Sequence, residues 1–564
     1  MVKRSSPPPK SNPRAAARRA TARSCRPIAA LLLAVAVAGA WSCASAPPPP
    51  PASPEPASAA PDPRLQPPPF AATPPPSPAA REDQRTAERR EILDAAWRTV
   101  RDKHYDPTLG GLDWQAVRRR YEPRALSAPD EAAFYRTLND MIGELGQSHM
   151  MITGPGATDD DAEPEAIPAA DAGGPGNASA PATSGNDGGD PGLTIRVIEG
   201  RPTITAVRPN SSAAGHGLEP GMLVTAIGGR PLTALASHRR SLRPVEERFA
   251  VRRAATHRLQ GPVGSKVTLD FVDNQERPGR VVLDRDQPPG PVRQIGYLPP
   301  LHPEARVREI AGIGVIGFNV FLLDPLLGEI QRAVDRFVAH RVKGVILDLR
   351  GNPGGLGAMA IPVASELVTG PTTLGSMIMR DGTRTDAVTT FAQTFVAKPS
   401  LGRTPYGGPL VVLTDEGTAS ASEILAAGLQ ESGRATVIGD TSLGAVLPSV
   451  VESLPHGAVM QVVVADFKTP KGVLLEGRGV QPDQRVLETR TGFRGNHDPV
   501  LEAAVQAVLA RGAPRLGAPP SSRGALTAPV RTPSAGASPS KAARPPSTGA
   551  QGKDRSSSPA VPVP

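Results

Sequence analysis

The stretch Asp415-Glu416-Gly417-Thr418-Ala419-Ser420-Ala421-Ser422-Glu423-Ile424 brings three hydroxyl side chains, Thr418, Ser420 and Ser422, close together among small residues. It runs on into Ile424-Leu425-Ala426-Ala427-Gly428-Leu429, an apolar segment with the composition of a buried helix. A small-residue turn that opens a helix holds a side-chain nucleophile beside backbone N–H groups that have no intrahelical partner. Upstream, Gly344-Val345-Ile346-Leu347-Asp348-Leu349-Arg350-Gly351-Asn352-Pro353-Gly354-Gly355 is a continuous apolar run ending in a glycine turn. That is the pattern of a strand buried on both faces. Strands at Gly314–Phe318, Val345–Leu349 and Leu410–Thr414, with a helix from Pro325 to His340, predict an α/β core, which a helix from Asp498 to Leu509 closes.

Composition limits the rest. A chain of 564 residues with 66 Pro and 57 Gly is too long and too uneven for one domain, and 3% aromatic residues require an aliphatic core. The net charge of +9 belongs to the ends: residues 1–26 carry eight basic and no acidic side chains, residues 512–564 carry seven basic and one acidic, and residues 27–511 are left at −5. A nucleic-acid-binding fold is therefore not indicated. The two cysteines, Cys25 and Cys43, both lie near the N-terminus, so packing and not disulfides must stabilise the folded part.

Taken in order, the chain predicts a multidomain α+β protein. A basic stretch to Arg26 precedes the short apolar run Ile28–Ala40, which reads as an export signal over residues 1–43. Trp41-Ser42-Cys43-Ala44-Ser45 resembles a bacterial lipobox, which implies lipidation at Cys43, tethering to a membrane and a place in the cell envelope facing the periplasm. Residues 44–80 are Pro-rich and are expected to be an extended tether. A helical domain is expected over 81–153, with apolar positions at helical spacing in Glu88–His104, Asp113–Tyr121 and Asp130–Leu145. Residues 154–190, rich in Gly, Ala, Asp and Pro, read as a flexible acidic linker. A β domain follows over 191–288, then the core over 289–511. Residues 512–564 are expected to be a disordered basic tail.

Two resemblances sharpen this reading. Ser212-Ala213-Ala214-Gly215-His216-Gly217-Leu218-Glu219-Pro220-Gly221-Met222-Leu223-Val224-Thr225-Ala226-Ile227-Gly228-Gly229 is similar to the signature of PDZ domains, with Met222 where that family usually has Asp. It implies a module that contacts or gates a peptide by strand addition. The serine turn and glycine turn together resemble the carboxyl-terminal processing peptidase and tricorn-core superfamily of serine peptidases. This implies a crotonase-like core and a nucleophile at the middle hydroxyl of the turn, Ser420. The oxyanion hole would be the N–H groups of Ala421 and Gly354.

A serine hydroxyl needs a base. The processing-peptidase branch places a lysine 25 positions after the nucleophile; here that position is Ala445. Lys468 and Lys471 do not match that lysine. The tricorn-like branch uses a histidine in a Gly-x-Ser-His motif and a glutamate just before Gly-Val-x-Pro-Asp. Gly146-Gln147-Ser148-His149 and Glu476-Gly477-Arg478-Gly479-Val480-Gln481-Pro482-Asp483 match these. The resemblance therefore implies His149 as base, with Ser148 and Glu476 orienting it, and places the chain nearer that branch. The other histidines read as structural or exposed. No metal cluster and no phosphate-binding glycine loop stands out, so no cofactor is expected. The chain is expected to be an exported serine endopeptidase that cleaves polypeptides through an acyl-enzyme. The alternative, motivated by Ala445, is an inactive PDZ-containing peptide-binding protein of the same superfamily. The site is expected to assemble only when the helical domain docks on the core.

Overall fold

The computed structural model describes residues 77–155, 188–232, 243–293, 302–380 and 390–512. All of them lie in the second of two compact units, Pro76–Pro564. The expected export signal, Cys43, most of the tether, most of the acidic linker and the basic tail fall outside the described residues.

The helical domain comprises α1 (Pro78–Lys103), α2 (Trp114–Leu126), α3 (Glu131–Gly143) and the short strand β1 (Met151–Thr153). Helix α1 starts inside the expected tether, three residues before the predicted boundary at Arg81. Ser77 Oγ accepts the Ala80 N–H at 3.2 Å and a proline stands in the first turn. Such a cap satisfies an orphan N–H, and proline at the first helical position removes another while its φ is already helical. Asp113 and Asp130 cap α2 and α3 in the same way. Trp97 and Trp114 each donate their indole N–H to the other's carbonyl at 3.0 Å, locking α1 to α2 inside a buried cluster with Leu93, Phe134 and Leu138.

The β domain holds β2 (Leu193–Ile198), β3 (Arg201–Val207), α4 (Ser212–Gly215), β4 (Leu223–Ile227), β5 (Arg230–Pro231), α5 (Pro244–Leu259), β6 (Lys266–Val272) and β7 (Pro278–Asp284). Its antiparallel sheet runs β2-β3-β4-β6-β7, with β5 on β4 and β2 at one edge. Gly189 and Asp190, at the end of the expected linker, already bridge to Gly261 and Asp286 of this domain.

The core begins with β8 (Ala305–Ile310) and β9 (Ile313–Phe318), followed by a π turn (Leu323–Leu327), α6 (Gly328–Ala339) and β10 (Val345–Asp348). Then come α7 (Ala360–Ser365), β11 (Thr372–Arg380), β12 (Thr390–Ala397), β13 (Leu410–Thr414), α8 (Ala421–Glu431) and β14 (Thr436–Gly439). Last are β15 (Ser449–Ser453), β16 (Val459–Val463), β17 (Ala465–Lys468), β18 (Gln484–Arg485), α9 (Arg490–Arg494) and α10 (Pro499–Gly512). The main sheet has the order β18-β14-β13-β10-β9-β8, parallel except for β8. β9 and β13 are buried at every position, as expected of strands covered on both faces. α6 and α8 lie in the cluster on one face and α10 in the cluster on the other.

Two packing contacts, among others, bring the domains together. β1 pairs antiparallel with β16, Ile152 opposite Met460, and Leu454, Met460 and Val462 sit in the same buried cluster as α1–α3. The other edge of β1 is held by Asn139 of α3, whose amide accepts from Ile152 N and donates to Ile152 O. Helix α5, which the sequence pattern does not announce, carries the β domain onto the serine turn. Its Val251, Ala255 and Leu259 belong to the β-domain core, while Val245 packs with Ala419 and Leu443, and Phe249 lies against them. A helix covered on two sides has no single apolar stripe, so its 3.6-residue period is lost.

Candidate active site

Ser420 is the N-cap of α8, with φ 54° and ψ −119°. This is a sparsely populated region for a residue with a Cβ, at a cost of about 1–3 kcal/mol, and such outliers cluster at functional sites. The strain comes with a sharp strand-to-helix turn between β13 and α8. The three hydroxyls then separate. Thr418 and Ser422 are fully buried and donate to main-chain carbonyls of the glycine turn, Thr418 to Leu349 O at 2.9 Å and Ser422 to Asn352 O at 3.0 Å. They are braces between the serine turn and the β10 turn. Of the three, Ser420 alone is partly exposed, and among the described residues its hydroxyl donates no hydrogen bond.

The glycine turn lies directly against the serine. A Cβ on Gly354 would stand 2.6 Å from Ser420 Cβ and 3.0 Å from Ala421 N, and Gly354 has φ +98°. Only glycine permits that approach. The Ala421 N–H begins α8 and donates to no group among the described residues, as an oxyanion donor requires. Gly354 is different: its N–H is committed to Asn352 Oδ1 at 2.9 Å, while Asn352 Nδ2 holds Phe318 O. The expected Gly354 donor is thus already engaged. The next N–H, that of exposed Gly355, donates to nothing among the described residues.

His149 follows α3 in a turn where it too has positive φ, 58°. Gln147 of the same turn is held by buried His104, Nε2 to Oε1 at 2.7 Å. Ser148 Oγ lies 2.8 Å from His149 Nδ1 and 3.0 Å from Glu476 Oε2, and Ser148 N donates to Glu476 Oε1 at 2.8 Å. Because the carboxylate takes the Ser148 hydroxyl proton, Ser148 Oγ accepts from Nδ1–H, which leaves the lone pair on Nε2. Burial pushes His149 down to about 4, so it is neutral at physiological pH and free to accept a proton.

His149 Nε2 and Ser420 Oγ form no hydrogen bond in this structure. A continuous set of contacts nevertheless links them through residues 442–446. Ser420 N donates to Ala445 O at 2.8 Å, Val446 N donates to Glu476 Oε2 at 3.0 Å, and Glu476 holds Ser148. Ala445, at the position of the absent lysine, is packed against the Val245, Ala419 and Leu443 cluster. Sequence reasoning missed Glu423. Its carboxylate is fully buried and accepts from Ser442 Oγ (2.5 Å), Gly444 N (2.7 Å), Ala445 N (3.0 Å) and Ser420 N (3.1 Å). The capping-box spacing Ser420-x-x-Glu423 was the available signal.

A buried charge network ties the β domain to both turns. Arg196 of β2 reaches Asp415 at 2.9 Å, Glu416 at 3.4 Å and Glu488 at 2.6 Å. Arg350 binds Asp348, Glu488 and Asp498, and Arg252 of α5 donates to Gly351 O at 2.9 Å. Asp415 in turn accepts the N–H groups of Gly351 and Gly417. Burial pushes its carboxyl up, but Arg196, Arg252 and the Gly351 N–H hold it below the ordinary aspartate value.

Comparison with known proteins finds serine peptidases. The family model "Peptidase family S41" matches residues 312–486, and "Tricorn protease C1 domain" matches residues 85–143. The chain is 27% identical over 408 residues to the carboxyl-terminal-processing protease of Synechocystis sp., covering 72% of this chain and 83% of that protein. It is 30% identical over 237 residues to the chloroplastic carboxyl-terminal-processing peptidase 3 of Arabidopsis thaliana, covering 41% and 43%. Among solved structures, mature CPAF complexed with lactacystin matches with a TM-score of 0.50 at 15% identity over 75% of this chain and 98% of that one, a likeness of fold. The expected placement nearer the tricorn-like branch is corrected: the sequence matches lie with carboxyl-terminal-processing proteases, and the tricorn match covers the helical segment 85–143. With a strained serine at a helix N-terminus, a glycine turn against it and these relatives, the chain is a serine-type peptidase similar to the S41 carboxyl-terminal-processing peptidases and, over its helical segment, to tricorn protease.

Proposed function

We propose that the protein cleaves polypeptides through an acyl-enzyme on Ser420, with His149 as its base in place of the lysine that Ala445 lacks. The single observation that carries this is the Glu476–Ser148–His149 relay, which fixes a neutral imidazole with its Nε2 lone pair free. Ser420 Oγ attacks the scissile carbonyl carbon while its proton passes to His149 Nε2. The Ala421 N–H and an N–H of the glycine turn receive the oxyanion. Collapse breaks the C–N bond, and the imidazolium returns the proton to the leaving amine. Water, deprotonated by the same imidazole, then hydrolyses the ester. Glu476 stabilises the transient imidazolium through Ser148.

The β domain is read as a PDZ-like module and the core as crotonase-like. Support for the first is the edge of β2, which pairs with no strand among the described residues and lies beside α5, the arrangement that strand addition uses. The N-terminal sequence pattern supports export and a lipid anchor at Cys43. Among the described residues no helix is long and apolar enough to cross a membrane.

The test is fluorophosphonate labelling of the purified chain. Wild type should label, and Ser420→Ala and His149→Ala should not, with circular dichroism showing both variants folded. Labelling that survives Ser420→Ala overturns the nucleophile; labelling that is normal in His149→Ala overturns the base. Absent labelling in a folded wild type favours the peptide-binding alternative that Ala445 motivates.

A further inference from the structure

Residues 442–446 form a strap between nucleophile and base, and two carboxylates pin it from opposite ends. Glu476, on the base side, takes Val446 N. Glu423, on the nucleophile side, takes Ser442 Oγ, Gly444 N and Ala445 N, while its Oε2 also takes the Ser420 N–H. The strap is zipped to the loop carrying Glu476: Gly477 N donates to Gly444 O at 2.8 Å, and Val480 N donates to Ser442 Oγ at 2.6 Å. Ser442 therefore joins Glu423 to the loop that holds the base.

We propose that Glu423 is a positioning residue for the peptidase reaction: as a carboxylate it clamps the strap to the serine turn and so sets Ser420 against His149, and protonation releases the clamp. This rests on Ser420 being the nucleophile and His149 its base.

The argument is one of donors and acceptors. All four partners donate to Glu423, three of them main-chain N–H groups that cannot accept, and an ionised carboxylate has the lone pairs to meet them. A protonated carboxyl carries a hydrogen on one oxygen. If Oε2 holds it, that hydrogen faces the N–H groups of Ser420 and Ala445. If Oε1 holds it, it faces Ser442 and Gly444. Either way a buried main-chain N–H faces a hydrogen in place of an acceptor: that of Ala445 in the first case, where Ser420 N keeps Ala445 O, and that of Gly444 in the second, where Ser442 Oγ can accept. Among the described residues no charged side chain bonds Glu423. The charged and titratable groups on the elements around it are Arg243 of the β domain, which donates to Leu443 O at 2.8 Å and pairs with Glu246, then Glu476, and His149 beyond Ser148. Burial raises Glu423 to about 7 against the pull of its four donors, so both protonation states fall within reach of ordinary conditions.

The experiment is the rate of fluorophosphonate labelling between pH 5 and 9 for wild type, Glu423→Gln and Ser442→Ala, full chain, with amide exchange of the 442–446 segment read at pH 8. His149 stays neutral down to about 4, so a wild-type acid limb near pH 7 reports Glu423. Glutamine keeps the shape but turns an NH2 toward two N–H donors. Glu423→Gln should therefore label at least tenfold more slowly at pH 8, lose the limb near 7, and exchange the Gly444 and Ala445 amides faster. Ser442→Ala removes a donor from the carboxylate and should move the limb to higher pH. A residue that only supports the fold would lower the rate equally at every pH and leave the limb in place; that result overturns the proposal. Unchanged exchange at 444–445 in Glu423→Gln also overturns it, and this readout does not depend on activity. If wild type labels at a residue other than Ser420, the reading of the active site fails first, and the exchange data still decide whether Glu423 clamps the strap.

Discussion

Arg196→Ala is the perturbation that tests how the β domain is held over the serine turn. The guanidinium sits about nine-tenths buried and pairs with three carboxylates, Asp415, Glu416 and Glu488. Three arginines, 196, 252 and 350, face five carboxylates here, Asp348, Asp415, Glu416, Glu488 and Asp498, so removing one takes the cluster from −2 to −3. Breaking a buried ion pair by deleting one partner costs about 3–5 kcal/mol, mostly because the other charge is left unpaired. The pH dependence follows from the signs. Asp415 is held below its ordinary value in the fold, so its contribution is complete above the unfolded carboxylate value and is lost as pH falls through the lower folded value. Glu488 is the opposite case: burial outweighs Arg196 and Arg350 and raises it, so its ionised form costs stability above its ordinary value. Without Arg196 both carboxyls titrate upward, and the penalty of the variant is largest at neutral pH and shrinks toward pH 4. Urea unfolding of wild type and Arg196→Ala at pH 7.5 and pH 4.5 measures this. A loss below about 0.5 kcal/mol at pH 7.5, or one that grows on acidification, refutes the reasoning; exposed pairs, by contrast, contribute only about 0–1 kcal/mol.

Ile152→Ala, at a fully buried strand position opposite Met460, should destabilise by about 2–4 kcal/mol and slow fluorophosphonate labelling, because β1 fixes where His149 sits; normal labelling would disconnect the strand from the base. Gly354→Ala should abolish labelling while far-ultraviolet circular dichroism stays near wild type, since its Cβ would meet Ser420 Cβ at 2.6 Å. Burial lowers His149 to about 4, below its unfolded value of about 6.5. It therefore contributes stability that is complete above pH 6.5 and is lost as pH falls toward 4. The stability difference between wild type and His149→Ala should narrow over that window, and a gap that stays constant would contradict the burial argument.

Much of the architecture was legible because its signals are local. Continuous apolar runs marked β9, β10 and β13, and Asp130 before Glu131 marked the start of α3. Helix α5 was not legible, since it is covered by the β-domain core on one side and the serine turn on the other. The engagement of the Gly354 N–H was not legible, because a motif does not reveal that Asn352 folds back onto it. Glu423 was missed, its burial and four donors being tertiary facts.

By itself, the sequence determined that a hydroxyl at a small-residue turn meets a glycine turn in an α/β core, and that no lysine stands at position 445. The resemblance pointed to Ser420, but only the fold distinguishes the three hydroxyls physically, burying two of them on main-chain carbonyls and leaving the third strained and partly exposed. Bringing His149 into the neighbourhood of a serine 271 positions away required β1 to pair with β16 and Glu476 to bridge Ser148 to the strap. Residue identity fixes which chemistry is available, but distance along the chain says nothing about distance in space, and only packing brings donor, acceptor and nucleophile together.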